Sequence, residues 1–405
     1  MADFDQDDDD FTINPNEVVK VIDLESVADA QTNSVLTDSD DDDNDDDIME
    51  TEEASSVPTS DDSVLTFIGH KDNPVICTRL SPADNEIAVT GGQDDRALVW
   101  STRDGSIIFQ CTGHTDTVVS VGFSHDGSMV ATADMKGLIK VWRVDQGKEI
   151  WSFDGSEIEW IQWHHGTPVL LVGTKDGQVS MYRIPSEECK TLVGYGPSAQ
   201  CGKILPNGTV ACVGYEDGAV KIWDLKTSTA THTISGREGH QSSVFCVDTN
   251  SSGSLILTGS GDMTAKVISP TTGKVLSTLK CHDSGEEDDS VETVGFSHTH
   301  DYAATGTLGG SLEIWDLPTK SVRHKCDHPY GIVKLMWSRT SPVFYTACLD
   351  GNFRQFDSRN GQLVRTWHGH SAQILDFDLA RNEDIAVTAS DDFTAKVFSL
   401  KNISS

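Results

Sequence analysis

The pair His164-His165 and the triplet His298-Thr299-His300 are the groupings in this chain whose residue types suit metal coordination. A zinc site draws its ligands from Cys, His or carboxylate at characteristic spacings, and neither grouping has a Cys or carboxylate partner in such a register. The triplet directly follows Gly295-Phe296-Ser297, the end of a strand-like run, so solvated or structural turn histidines are expected and no metal. The nine cysteines, from Cys77 to Cys348, are odd in number and form no CxxC pair. They read as reduced thiols of a cytosolic or nuclear protein. No GxxxxGK[ST], GxSxG or HExxH occurs, so phosphate-loop, serine-hydrolase and zinc-protease chemistry all lack their residues. The chain is expected to be no enzyme and to carry no cofactor.

What recurs instead is one eleven-residue phrase. TGGQDDRALVW ends at Trp100, TADMKGLIKVW at Trp142, VGTKDGQVSMY at Tyr182 and VGYEDGAVKIW at Trp223. TGSGDMTAKVI ends at Ile268, TGTLGGSLEIW at Trp315, TACLDGNFRQF at Phe356 and TASDDFTAKVF at Phe398. Successive end points lie 40 to 47 residues apart. A small-residue turn followed by alternating apolar positions, repeated at that period, marks an all-β fold: an eight-bladed WD-repeat β-propeller of four-stranded blades. Gly-His pairs fall in the loops entering the inner strands, and the Asp of each phrase falls in the turn before the third strand. His, Asp, a strand Thr and the closing aromatic can then form a buried hydrogen-bonded lock. The expected locks are His70, Thr90, Asp94 and Trp100 in blade one, and His370, Thr388, Asp392 and Phe398 in blade eight, where Phe cannot donate. His240 with Asp262 serves blade five and His328 with Asp350 blade seven. Lys136 in blade two and Gly309 in blade six stand where Asp is expected, and blades three and four lack Gly-His. The Asp residues recur for architecture, which makes them poor catalytic candidates.

The eighth phrase stops seven residues before the last, leaving blade eight without its own outer strand. SVLTFI at 63–68 alternates correctly and is expected to supply it, removing an open edge. Residues 63–405 are therefore read as the propeller and 1–62 as a disordered acidic tail. The chain's 405 residues carry a net charge of −34, and residues 1–62 alone hold 23 acids against the single Lys20. That tail has neither the basic start nor the apolar core of a signal peptide, and no run is long and apolar enough to insert in a membrane. Its EVVKVIDLE cluster at 17–25 reads as chance or as a short linear motif, and Ser39, before DDDDNDDD, suits an acidophilic kinase. So acidic a chain disfavours direct nucleic-acid binding and favours a basic protein partner.

Loops entering the inner strands and turns before the third strands share one face. Aligning the phrases puts Ile76, Val119, Glu159, Gln200, Phe245, Glu292, Val333 and Leu375 at its mouth. The turns add Gln93, Met135, Lys175, Glu216, Gly261, Leu308, Leu349 and Asp391, and blade six contributes the long loop 282–292. Glu157, Glu159, Glu216, Glu286, Glu287, Asp288, Asp289, Glu292 and Asp391 thus converge on one rim with Trp160 and Phe245 nearby. A carboxylate ring around aromatics suits an Arg/Lys-rich peptide. Asp357-Ser358-Arg359 resembles the Asp-x-Arg box of ubiquitin-ligase substrate receptors, though a solvent-exposed turn explains it better.

EWIQWH (159–164), CGKILPNG (201–208), VGYEDGAVKIWDLK (213–226), EGHQ (238–241), GSLILTGSGDMTAKV (253–267), TTGKV (271–275) and ILDF (374–377) resemble the angio-associated migratory cell protein family and its fungal relatives. The resemblance implies an eight-bladed propeller. Its fungal members are chaperones that hold the basic N-terminal segment of a newly made large-subunit ribosomal protein during ribosome assembly. It implies a binding role for Glu159, Glu216 and Glu292. The animal members' name implies the alternative of a signalling scaffold in cell migration and angiogenesis, with a ligase substrate receptor as a third reading. The expected protein is a monomer of the cytoplasm, with the nucleus or the periphery of the cell membrane as alternatives.

Overall fold

The computed structural model describes residues 60–192, 196–281, 289–326 and 328–401. The acidic runs of the tail, its 17–25 cluster and Ser39 lie outside the described residues. Among the described residues there is no helix; strands form eight antiparallel four-stranded sheets. Seven sheets are simple meanders, as in blade one, where Val75–Leu80, Ile87–Gly92, Ala97–Ser101 and Ile107–Cys111 follow one another outward.

Burial explains the residue choice in each layer. A second strand such as Met129–Asp134 is buried at every position, because its two faces meet the neighbouring blades. Small Ala and Thr side chains let those sheets approach. An outer strand such as Ile107–Cys111 is mostly exposed. The apolar core therefore lies between blades: Ala131 and Val141 of blade two meet Trp163, Leu170 and Val172 of blade three in one cluster.

Blade eight is assembled from both ends of the propeller. Ser63–Phe67 is its outer strand, pairing antiparallel with Ala395–Ser399 through Leu65 opposite Val397 and Phe67 opposite Ala395. Lys396 Nζ, almost buried, reaches Asp61 Oδ2 at 2.6 Å and Thr66 Oγ1 at 3.0 Å. Asp62 exchanges two bonds with the His368 backbone. Phe67 crosses the seam to stack on Trp100 of blade one, centroids 4.3 Å apart and planes within 3°. On the inner side Asp376 and Asp378 accept the backbone N–H groups of Thr78 and Leu80, tying blade eight to blade one.

The locks form where side chains permit. His70 joins Asp94 at 2.8 Å and Thr90 at 2.9 Å; His240 joins Asp262 at 3.1 Å and Thr258 at 2.8 Å; His370 joins Asp392 at 2.8 Å and Thr388 at 2.7 Å. Phe398 lies edge-on to His370. Burial alone would raise the Asp392 carboxyl, but the His370 hydrogen bond and charge, with the Thr394 hydroxyl and the Ser371 backbone N–H, together outweigh it and hold the group at about 2. Three expectations need correction. Trp100 is no member of its lock: the indole N–H has no hydrogen-bond partner, and the ring is held by Phe67 instead. Blade two has a complete lock despite Lys136. Asp134, two positions earlier, bonds His114 at 3.2 Å, while His114 and the Trp142 N–H both meet Thr132. His328 does not pair with Asp350. Arg354 claims that carboxylate on both oxygens, so His328 donates Nδ1–H to the Tyr330 carbonyl at 2.9 Å. Blade six has a substitute as well, with Asp289 holding Thr307 and the Gly309 backbone N–H, and Cys281 donating to Thr305.

Candidate functional site

Two recurring backbone features build the face on which the acidic residues lie. In each blade the turn before the third strand is tied to the loop entering the inner strand by one N–H···O=C bond. The donors are Gln93, Met135, Lys175, Glu216, Gly261, Leu308, Leu349 and Asp391, all at 2.9 or 3.0 Å. Seven of the inner strands also start with a register shift against the second strand, at Ile76, Val119, Glu159, Phe245, Glu292, Val333 and Leu375. A bulge leaves one residue unpaired and re-aims its side chain. Of these bulged residues Phe245, Glu292 and Val333 line an axial cavity of about 810 Å³, with Trp160 and Gln200 beside them.

Going round the mouth, its chemistry divides. Blades three and four carry a connected acidic patch. Ser198 donates its hydroxyl to Glu159 at 2.8 Å and its backbone N–H to Glu216 at 3.3 Å. Glu157 is exposed and pairs with Lys175 at 2.6 Å. Trp160 stands beside them, its indole donating to the Ala199 carbonyl at 2.8 Å. A Cβ at Gly173 or Gly202 would lie within 2.3 Å of that ring, so both positions must be glycine for the indole to fit. Glu292 and the exposed Asp391 extend the negative charge to blades six and eight. The remaining arc is apolar and half open: Ile76, Val119, Val333 and Leu375 at the mouth, with Met135 51% and Leu308 42% exposed on the turns. Phe245 is 37% exposed and Tyr330 57%. Tyr330 was not found from sequence, although it lies in an entering loop; the apolar positions were placed on this face by the phrase alignment but not read as part of the binding surface.

Other expected rim residues fall elsewhere. Asp289 is buried and holds its turn, so it is not an exposed rim group. Glu286, Glu287 and Asp288 lie outside the described residues. The histidine groupings sit on the opposite face, between inner and second strands. His164 and His165 each bond a backbone carbonyl, of Gly208 and Pro206, and stack on one another. His298 lies near the Ser251 hydroxyl at 3.4 Å, and His300 stacks on Tyr302. Among the described residues no three His, Cys, Asp or Glu side chains are placed to hold a metal. None of the nine cysteines is joined in a disulfide. Burial pushes the Cys77 and Cys201 thiols up to about 12, so neither is a ready nucleophile. Asp357 and Arg359 pair with each other within their own turn, and Ser358 is buried.

The WD domain, G-beta repeat family matches residues 61–101, 105–143, 229–269, 273–316 and 361–399. Angio-associated migratory cell protein of Homo sapiens is 47% identical over 363 residues, covering 87% of this chain and 83% of that protein. Ribosome assembly protein SQT1 of Saccharomyces cerevisiae is 25% identical over 390 residues, 87% of this chain and 90% of its own length. The crystal structure of that Sqt1 superposes with a TM-score of 0.78 at 23% identity, over 85% of this chain and all of the other. Chaetomium thermophilum Sqt1 bound to the N-terminus of the ribosomal protein L10 superposes with a TM-score of 0.75 at 21% identity, over 84% of this chain and all of the other. These likenesses establish a shared fold with the fungal proteins. The repeat match and the 47% identity establish more: the chain belongs to the angio-associated migratory cell protein family of WD-repeat propellers.

Proposed function

We propose that this platform holds a basic peptide on its acidic mouth, namely the N-terminal segment of a newly made large-subunit ribosomal protein, and keeps it soluble in the cytoplasm until assembly. The observation that carries the reading is the connected Glu159–Ser198–Glu216 patch beside Trp160, which itself lines the axial cavity. Carboxylates prealigned by hydrogen bonds give Arg and Lys charge-assisted partners, and the aromatic faces take the side-chain stems. The apolar arc on blades seven, eight, one and two adds a place for hydrophobic residues of the same peptide. The complex of the Chaetomium thermophilum relative with the N-terminus of L10 supports a partner of this class.

Co-expression of the full chain with L10 tests the proposal. The ribosomal protein is expected in the soluble fraction and to co-purify with the propeller. Equal precipitation with and without the propeller refutes it and leaves the signalling scaffold as the better reading.

A further inference from the structure

Lys175 is the one cation among the sixteen mouth and turn positions of the face. Its place is fixed twice. The backbone N–H is bonded to the Glu157 carbonyl at 2.9 Å, and Nζ meets Glu157 Oε2 at 2.6 Å. The Glu157 bond, with the Glu159 and Glu216 carboxylates behind it, raises its pKa above the usual lysine value. Both side chains of the Lys175–Glu157 pair are more than half exposed, so the pair can open without unfolding anything. Ser198 meanwhile holds Glu159 and Glu216 in place from the next blade, independently of Lys175.

We propose that Lys175 is a built-in competitor at the binding site: in the free protein its ammonium holds Glu157, at the edge of the Glu159 and Glu216 patch, and occupies the carboxylate that a cation of the bound peptide takes. This rests on the reading of the mouth as a basic-peptide site. An incoming Arg displaces Lys175 more readily than an incoming Lys does, because its planar guanidinium bonds two carboxylate oxygens at once where an ammonium acts as a point charge. The pair raises the threshold for every incoming cation by the same factor, so weakly held single cations are turned away and segments with a bidentate grip still bind.

The test uses the full chain and a fluorescent synthetic peptide of the L10 N-terminus, with a second peptide in which every Arg is replaced by Lys. Lys175→Gln is expected to tighten the Arg peptide and the Lys peptide alike by about fivefold, the scale of an exposed ion pair, and to leave the preference for Arg unchanged. Lys136→Gln, in the neighbouring blade's turn and paired with Asp116, removes the same unit of charge from the same face and controls for net charge. It is expected to change affinity by less than about twofold, as a surface charge outside the patch does. Unchanged or weaker binding by Lys175→Gln, or equal tightening by both variants, overturns the competitor role and leaves the site standing. Failure of the unsubstituted chain to bind either peptide overturns the site itself and the competitor with it.

Discussion

Replacing Phe67 with Ala should open the seam of the propeller, and the structure sets the size of the effect. Phe67 is 3% exposed and lies in a cluster with Val75, Leu98, Trp100, Ala395 and Val397, drawn from both blades that meet there. Truncating a buried Phe removes its transfer free energy and leaves a cavity, at a cost of about 3–5 kcal/mol. Loss of the Trp100 stack belongs to the same figure and places this variant at its upper end. In a domain whose whole stability is about 5–15 kcal/mol, that is a large fraction. At about 2 °C per kcal/mol the melting temperature should drop by roughly 6–10 °C. Val64, on the same strand but 62% exposed, is the control, and Val64→Ala should cost less than about 0.5 kcal/mol. Differential scanning calorimetry of the two variants checks the pair. Equal melting temperatures would show that the alternation of this strand does not dock it on blade eight, and would refute the closure. The same geometry locates the safe truncation point. Removing 1–59 spares the Asp61–Lys396 and Asp62–His368 bonds, whereas removing 1–70 strips the strand and its anchors.

Blade two offers a second test: Asp134→Ala leaves His114 Nδ1 and the Thr115 and Leu138 backbone N–H groups without their carboxylate at a fully buried site and should cost about 3 kcal/mol, while Lys136→Ala should cost under about 0.5 kcal/mol, both read by urea unfolding. The pH dependence of stability should show His328. Burial, aided by Arg354, depresses its pKa from 6.5 to about 4, so the unfolded chain binds the proton first. Its contribution is present above pH 6.5 and is lost as pH falls toward 4, by up to about 3 kcal/mol, and His328→Gln should flatten that limb of the melting curve series. Asp392 behaves differently. Held at about 2, it keeps its contribution above its ordinary value of 3.8 and loses it only as pH falls through about 2, so the two groups separate along the pH axis.

The fold was legible because each blade repeats the same local instruction: small residues in the second strand, a tight turn, alternating apolar positions and a closing aromatic. Details that depend on competition between side chains were less legible. The Asp134 lock lies inside its strand, two positions from the phrase's usual Asp, and only three-dimensional proximity to His114 reveals it. Nothing in the spacing of His328 and Asp350 announces that Arg354, four residues beyond the Asp, takes the carboxylate. At the site, alignment placed Glu159 and Glu216 on the right face but read Asp289 as one more surface charge, whereas Asp289 is buried and serves a turn. Charge counting also hid Lys175, whose sign matters because of where the backbone holds it.

The most direct test of the account measures the affinity of the L10 N-terminal peptide for the full chain as ionic strength rises, with and without Glu159→Lys and Glu216→Lys together. Exposed charges are screened beyond about 8 Å at physiological salt, so binding through this patch should weaken steeply as salt is added. The double variant should lose more than about tenfold in affinity at low salt, with an unchanged melting temperature, and most of its salt dependence should disappear. Salt-insensitive binding, or undiminished affinity in the double variant, would contradict the assignment of the acidic mouth as the binding site.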